Sequence, residues 1–89
     1  LLADDEPEIV QLIAECLEPL NCSVVSARSG TEAVEALQAL EFDLVITDML
    51  MPGGGGRAVL AQVAKLPQSP PVLVITGRAD QAHEVSPSD

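Results

Sequence analysis

An α/β fold built on a parallel sheet of four strands is what this 89-residue sequence predicts, and three observations carry the prediction. Two short apolar runs, Leu44–Thr47 and Val72–Thr76, proceed without polar alternation, which suits strands covered on both faces. Around them lie segments whose apolar residues recur every three or four positions, as on one face of a helix. The chain is 47% apolar, yet Phe42 is its only aromatic residue, so the interior must be made of Leu, Val, Ile and Ala. Strands alternating with amphipathic helices imply parallel pairing through right-handed crossovers.

The elements follow in order. Leu1–Ala3 is a first strand, stopped abruptly by Asp4, Asp5 and Glu6. Pro7 suits the first turn of a helix, where its missing N–H matters least, and acids there complement the helix dipole. Ile9, Leu12, Ile13, Cys16, Leu17 and Leu20 then mark one buried face of a first helix, which Pro19 and Asn21 end. Ser23–Ala27 supplies a second strand around Val24 and Val25. Ser29-Gly30-Thr31-Glu32 reads as a capping box opening a second helix, with Ala33, Val34, Leu37 and Leu40 inward. The third strand ends at Asp48. Met51-Pro52 and the glycines Gly53 to Gly56 read as a loop, because glycine loses most backbone entropy on ordering. A third helix is expected from about Arg57, with Val59, Leu60, Val63 and Leu66 inward, stopping before Pro67. Val72–Thr76 is the fourth strand. Residues 78–89 are a polar tail or the start of a fourth helix.

Composition narrows the function. Eighty-nine residues allow one domain with a modest core. Four basic against fourteen acidic residues give a net charge of -10, which argues against direct nucleic-acid binding by this segment, since phosphate backbones require clustered Lys and Arg. A cation or a basic protein surface is the better match. Cys16 and Cys22 are too few for a disulfide framework and read as buried thiols in a reducing cytoplasm. No apolar run approaches the roughly twenty residues of a membrane span. A first residue that is Leu rather than Met suggests a piece of something longer.

The chemistry centres on Asp4, Asp5 and Asp48, which fall at the carboxyl ends of two strands. That end of an open α/β sheet is where ligands bind. If the two strands are neighbours the acids converge, and at about 4 Å, with an effective dielectric near 20, each like-charged pair costs on the order of 4 kcal/mol. Such a cluster must take up a proton or a cation. Magnesium suits an oxygen donor set that includes one or two carboxylates, and a carboxylate can itself accept a phosphoryl group. Taken alone, Asp4 and Asp5 could be mere helix-capping acids, and Asp48 a strand-end turn residue. The glycines with Ala58 fit G-x-G-x-x-A formally, but Asp48 to Pro52 intervene between strand and glycines, which disfavours a dinucleotide site. No Lys-Ser or Lys-Thr follows, so a P-loop is excluded. His83 is lone and polar-flanked, the setting of a solvated side chain.

These motifs together resemble the receiver domain of two-component response regulators. The matching residues are Asp4-Asp5-Glu6-Pro7, Ser29-Gly30-Thr31-Glu32-Ala33, Asp43 to Asp48 with Met51-Pro52-Gly53, and Thr76. The resemblance implies a flavodoxin-like, three-layer α/β/α fold with strand order 2-1-3-4, spanning residues 1–77 and incomplete at both ends, with strand 5 missing. It implies that Asp48 is the phosphoacceptor and Thr76 the switch hydroxyl. Asp5, Asp48 and the Leu50 backbone carbonyl would ligate Mg2+, with Asp4 acting through water. Implied partners are a sensor histidine kinase or phosphotransfer protein, then an output domain or downstream protein, in the cytoplasm.

Two features depart from the family pattern. The lysine usually found at the end of strand 5 has no counterpart, since Lys65 is the only lysine and belongs to the third helix. The acid or serine and the bulky residue usual in the loop after Met51-Pro52 are replaced by glycine. These departures motivate an alternative, a degenerate receiver acting as a docking or dimerisation module. A small Mg2+-dependent phosphatase is a third possibility, disfavoured because no second acid lies two residues beyond Asp48. With strand order 2-1-3-4 the fourth strand is an exposed apolar edge, which favours self-association, for example as a homodimer.

Overall fold

The computed structural model describes residues 1–75, so Thr76, Gly77 and the 78–89 segment lie outside the described residues. The strands are β1 (Leu2–Ala3), β2 (Ser26–Ala27), β3 (Val45–Asp48) and β4 (Val72–Ile75). The helices are α1 (Pro7–Leu17), continued by a 3-10 turn over Glu18–Leu20, α2 (Gly30–Ala39) and α3 (Gly55–Ala64). All described strand pairs are parallel, in the order β2-β1-β3-β4. This is the predicted class and order.

Local chemistry explains most boundaries. Pro7 opens α1 as expected, and Asn21 takes up the left-handed conformation (φ 61°) that ends the 3-10 turn. At α2 the Ser29 hydroxyl accepts the Glu32 N–H at 3.1 Å, while the Glu32 carboxylate accepts the Arg28 N–H at 3.0 Å. The reciprocal cap is therefore present, but Glu32 reaches one residue further back than a standard capping box. The second strand is shorter than the expected Ser23–Ala27 because its sole partner, β1, offers only Leu2 and Ala3 for pairing. Val25 still contributes its carbonyl, which accepts the Leu2 N–H at 2.9 Å.

The glycine run differs more from expectation. Gly55 and Gly56 are buried and belong to α3, which begins two residues before Arg57. A Cβ on Gly56 would lie 2.8 Å from the Asp48 carbonyl oxygen, and one on Gly55 would lie 2.5 Å from that of Met49. Here glycine serves close backbone approach, and the loop shrinks accordingly.

Right-handed crossovers place α2 and α3 on one face of the sheet and α1 on the other. The buried core lies on the α2/α3 side, where Ala33, Leu37, Val59 and Val63 close over Ala3, Ala27 and Val45. None of the eleven residues of α1 is buried. A four-stranded sheet is about 19 Å wide at 4.8 Å per strand, whereas a helix with side chains covers about 10 Å. Among the described residues one helix therefore leaves this face half bare. Leu12 is 58% exposed and Leu73, on β4, 54%. Contrary to the predicted buried face, Cys16 and Leu20 are also exposed, as is Cys22, because no neighbouring helix flanks α1 among the described residues. Leu40 falls outside α2 and is exposed, and Leu60 is 37% exposed.

Candidate functional site

Adjacent parallel strands bring the acids together. Ala3 of β1 pairs with Thr47 of β3, so Asp4 and Asp48, the next residue on each strand, emerge side by side at the same sheet edge. Asp5 follows immediately. One oxygen of each of Asp4, Asp5 and Asp48 lies within 4.8 Å of the others. Asp4 and Asp48 are buried, at 2% and 8% exposure, and Asp5 is exposed.

Each buried carboxylate is fixed by the same local device. Asp4 Oδ1 accepts the Glu6 N–H at 2.9 Å, and Asp48 Oδ1 accepts the Leu50 N–H at 3.3 Å. In both cases the donor is two residues on, the Asx-turn pattern that a short carboxylate favours. The turn at Asp48 is the strand-end role the sequence allowed for it, and the turn at Asp4 takes the place of a side-chain cap on α1. The signal available was an aspartate at the last strand position followed by non-helical residues.

Burial pushes the Asp4 carboxyl above its ordinary value; the Glu6 N–H opposes this, and the charges of Asp48, Asp5 and Glu6 add to the rise. The site therefore favours a proton on Asp4, or a cation among the three acids, over three free charges. An octahedral Mg2+ with bonds near 2.1 Å keeps its ligand atoms no more than about 4.2 Å apart, close to the observed spread. The donor set, hard carboxylate oxygens at a partly open edge, fits that ion.

The loop after Asp48 is held from both sides. Gly56 N–H donates to the Met49 carbonyl at 3.0 Å, and Gly30 N–H donates to the Pro52 carbonyl at 2.8 Å. The Leu50 side chain is 52% exposed at the mouth of the site. Thr76, the predicted switch residue, lies outside the described residues, one position beyond Ile75, which pairs with Asp48. A groove of about 470 Å³, lined by Leu17, Val24, Leu40 and Leu44 among others, sits at the opposite end of the sheet and includes none of the three acids.

The model of the response regulator receiver domain family matches residues 1–86. The chain is 31% identical to the transcriptional regulatory protein ResD of Bacillus subtilis, over 96% of this chain and 35% of that protein. It is 36% identical to the transcriptional regulatory protein GlrR of Escherichia coli, over 85% of this chain and 17% of that protein. The chain thus spans about a third or less of the length of these curated relatives. Among solved structures it is similar to the response regulator protein TrrA of Thermotoga maritima in complex with Mg2+-BeF, with TM-score 0.81 and 28% identity, covering 94% of this chain and 73% of that one. The signal receiver domain of an HD domain-containing protein from Pseudomonas fluorescens gives TM-score 0.78 and 31% identity, covering 91% and 65%.

Proposed function

This chain belongs to the response regulator receiver domain family, and from that premise we propose that Asp48 accepts a phosphoryl group from a phosphohistidine on a sensor histidine kinase or phosphotransfer protein. The observation that carries the proposal is the convergence of Asp4, Asp5 and Asp48 to within 4.8 Å at neighbouring strand ends. Asp5, Asp48 and the Leu50 backbone carbonyl would hold Mg2+, with Asp4 acting through water. Bound there, the ion supplies positive charge to the transferring phosphoryl oxygens. A carboxylate oxygen of Asp48 attacks phosphorus as the P–N bond breaks, and the bonding pair returns to the imidazole nitrogen. Because Oδ1 takes the Leu50 N–H, we assign the attack to the other oxygen. Thr76 then follows the phosphoryl oxygens as the switch hydroxyl, carrying its loop with it.

In this reading residues 1–77 form the receiver unit and 78–89 a polar tail or the start of a further helix. The unit is a signalling module of the cytoplasm, passing its state to an output domain or downstream protein. No described helix is long and apolar enough to cross a membrane. Incubation with Mg2+ and acetyl phosphate, or a beryllium fluoride mimic, should give one covalent phosphoryl equivalent or one analogue per chain. No adduct, or an adduct that survives Asp48→Asn, overturns the proposal.

A second reading has its own support. Leu12, Leu20 and Leu73 are exposed, and glycines occupy the loop positions Gly53 to Gly56. A degenerate receiver acting as a docking or dimerisation module accounts for both. It predicts that Mg2+ changes neither the spectra nor partner affinity, and a Mg2+ titration separates the two readings.

A further inference from the structure

We infer that Gly30, at the first position of α2, is a positioning residue for Asp48, acting through the loop that connects β3 to α3; the inference rests on the phosphoacceptor reading of Asp48. Gly30 is buried, and its N–H holds the Pro52 carbonyl at 2.8 Å. A Cβ at Gly30 would collide with the Gly53 carbonyl oxygen and lie 2.9 Å from the Gly55 nitrogen. Across the contact, Gly53 has φ +75°, and a Cβ there would lie 2.7 Å from Thr31 Oγ1 and 2.9 Å from the Thr31 nitrogen. Two bare backbones therefore meet with no side chain between them. Just past the loop, the first turn of α3 is pressed against the end of β3, where a Cβ on Gly56 would lie 2.8 Å from the Asp48 carbonyl oxygen and 2.6 Å from the Met49 sulfur.

The segment from Met49 to Gly56 is thus clamped between the start of α2 and the residue that bears the reactive carboxylate. Close-packed interiors transmit such a displacement because they have few voids to absorb it. One methyl on Gly30 must push the loop away from α2, and the loop contains Leu50, whose N–H holds Asp48 Oδ1. The helix distant from the acids in sequence becomes part of what aims them.

The test compares two amides in the full chain by hydrogen exchange: Gly56, bonded to Met49 in the loop, and Ile46, bonded to Leu1 at 2.8 Å in the sheet. In Gly30→Ala we expect Gly56 to exchange about tenfold faster while Ile46 stays within about twofold, since local opening of the loop leaves the sheet intact. Titration with Mg2+ alone should show affinity reduced about fivefold, the coupling between the clamp and the acids. A role confined to packing the loop would leave Mg2+ affinity unchanged, and that outcome, equal movement of both amides, or no change at Gly56 overturns the inference. Should Gly30→Ala fail to fold, Thr31→Ala removes the Oγ1 packed over Gly53 without adding bulk. It should speed Gly56 about threefold with Ile46 unchanged, and equal behaviour of the two amides overturns the inference there as well. If the wild-type chain takes up neither Mg2+ nor phosphoryl group, the Asp48 reading fails by itself, while the exchange comparison still decides whether Gly30 holds the loop.

Discussion

The two faces of the sheet are built from similar residues and end in different states. On one face α2 and α3 pack against each other and bury Ala33, Leu37, Val59 and Val63; on the other, among the described residues, α1 stands alone and buries none of its residues. Apolar periodicity is present in all three helices, so composition does not separate them. What separates them is the number of helices available to cover each face. The well-packed face also holds the glycine contacts that fix the loop after Asp48.

Four substitutions probe this contrast, from the largest expected effect to the smallest. Leu37→Ala, at 3% exposure, should lower unfolding stability by about 2–5 kcal/mol, the range for truncating a buried leucine. Urea titration measures it, and a loss below about 1 kcal/mol would mean the α2/α3 face is not the closed core described here. Ser29→Ala removes the acceptor for the Glu32 N–H and should lower stability by about 1 kcal/mol on the same assay.

Asp4→Asn tests the sheet edge where the two faces meet. The folded chain holds the Asp4 proton more tightly than the unfolded chain, because burial raises its carboxyl above the ordinary 3.8. In the absence of divalent ions this contribution is therefore fully present below that value, and stability falls as pH rises through the raised folded value. Asparagine can keep the Oδ1 bond to Glu6 N–H without the charge. The variant should flatten that part of the pH profile and be more stable than wild type at neutral pH without Mg2+. Thermal melts across acid and neutral pH check it; a variant less stable than wild type at neutral pH would show that the charge is compensated within the fold.

Leu12→Ala, on the bare face, should change stability by no more than about 0.5 kcal/mol, the usual limit for an exposed position. Its companion measurement is light scattering at high concentration. Self-association that is weakened by Leu12→Glu together with Leu73→Glu would identify the bare face as the contact, and a monomer at all concentrations would remove the dimerisation reading.

Much of the site was legible from residues alone. Asp48 ends an unbroken apolar run, and Asp4 and Asp5 end another, so their position at strand tips needed no coordinates. The cap at Ser29 was legible for the same reason: its partners lie within four residues. The turns that hold Asp4 and Asp48 are equally local; the turn role of Asp48 and the capping role of Asp4 stand in the structure beside the acid cluster. The roles of Gly30 and Gly53 were hidden, since each depends on a backbone more than twenty residues away.

The order of elements, the strand-end acids and the α2 cap are thus properties of the sequence itself, because short-range sterics and hydrogen bonds specify them. Tertiary structure decided which apolar stripe is covered, leaving Cys16, Cys22, Leu12 and Leu40 exposed where periodicity or composition placed them inward. It also decided that Gly55 and Gly56 are packing residues of α3 and not loop. A helical pattern states that one side is apolar, and a glycine states that no side chain is present. Whether another part of the chain comes to fill either space is a long-range fact, fixed only when the sheet and its crossovers have formed.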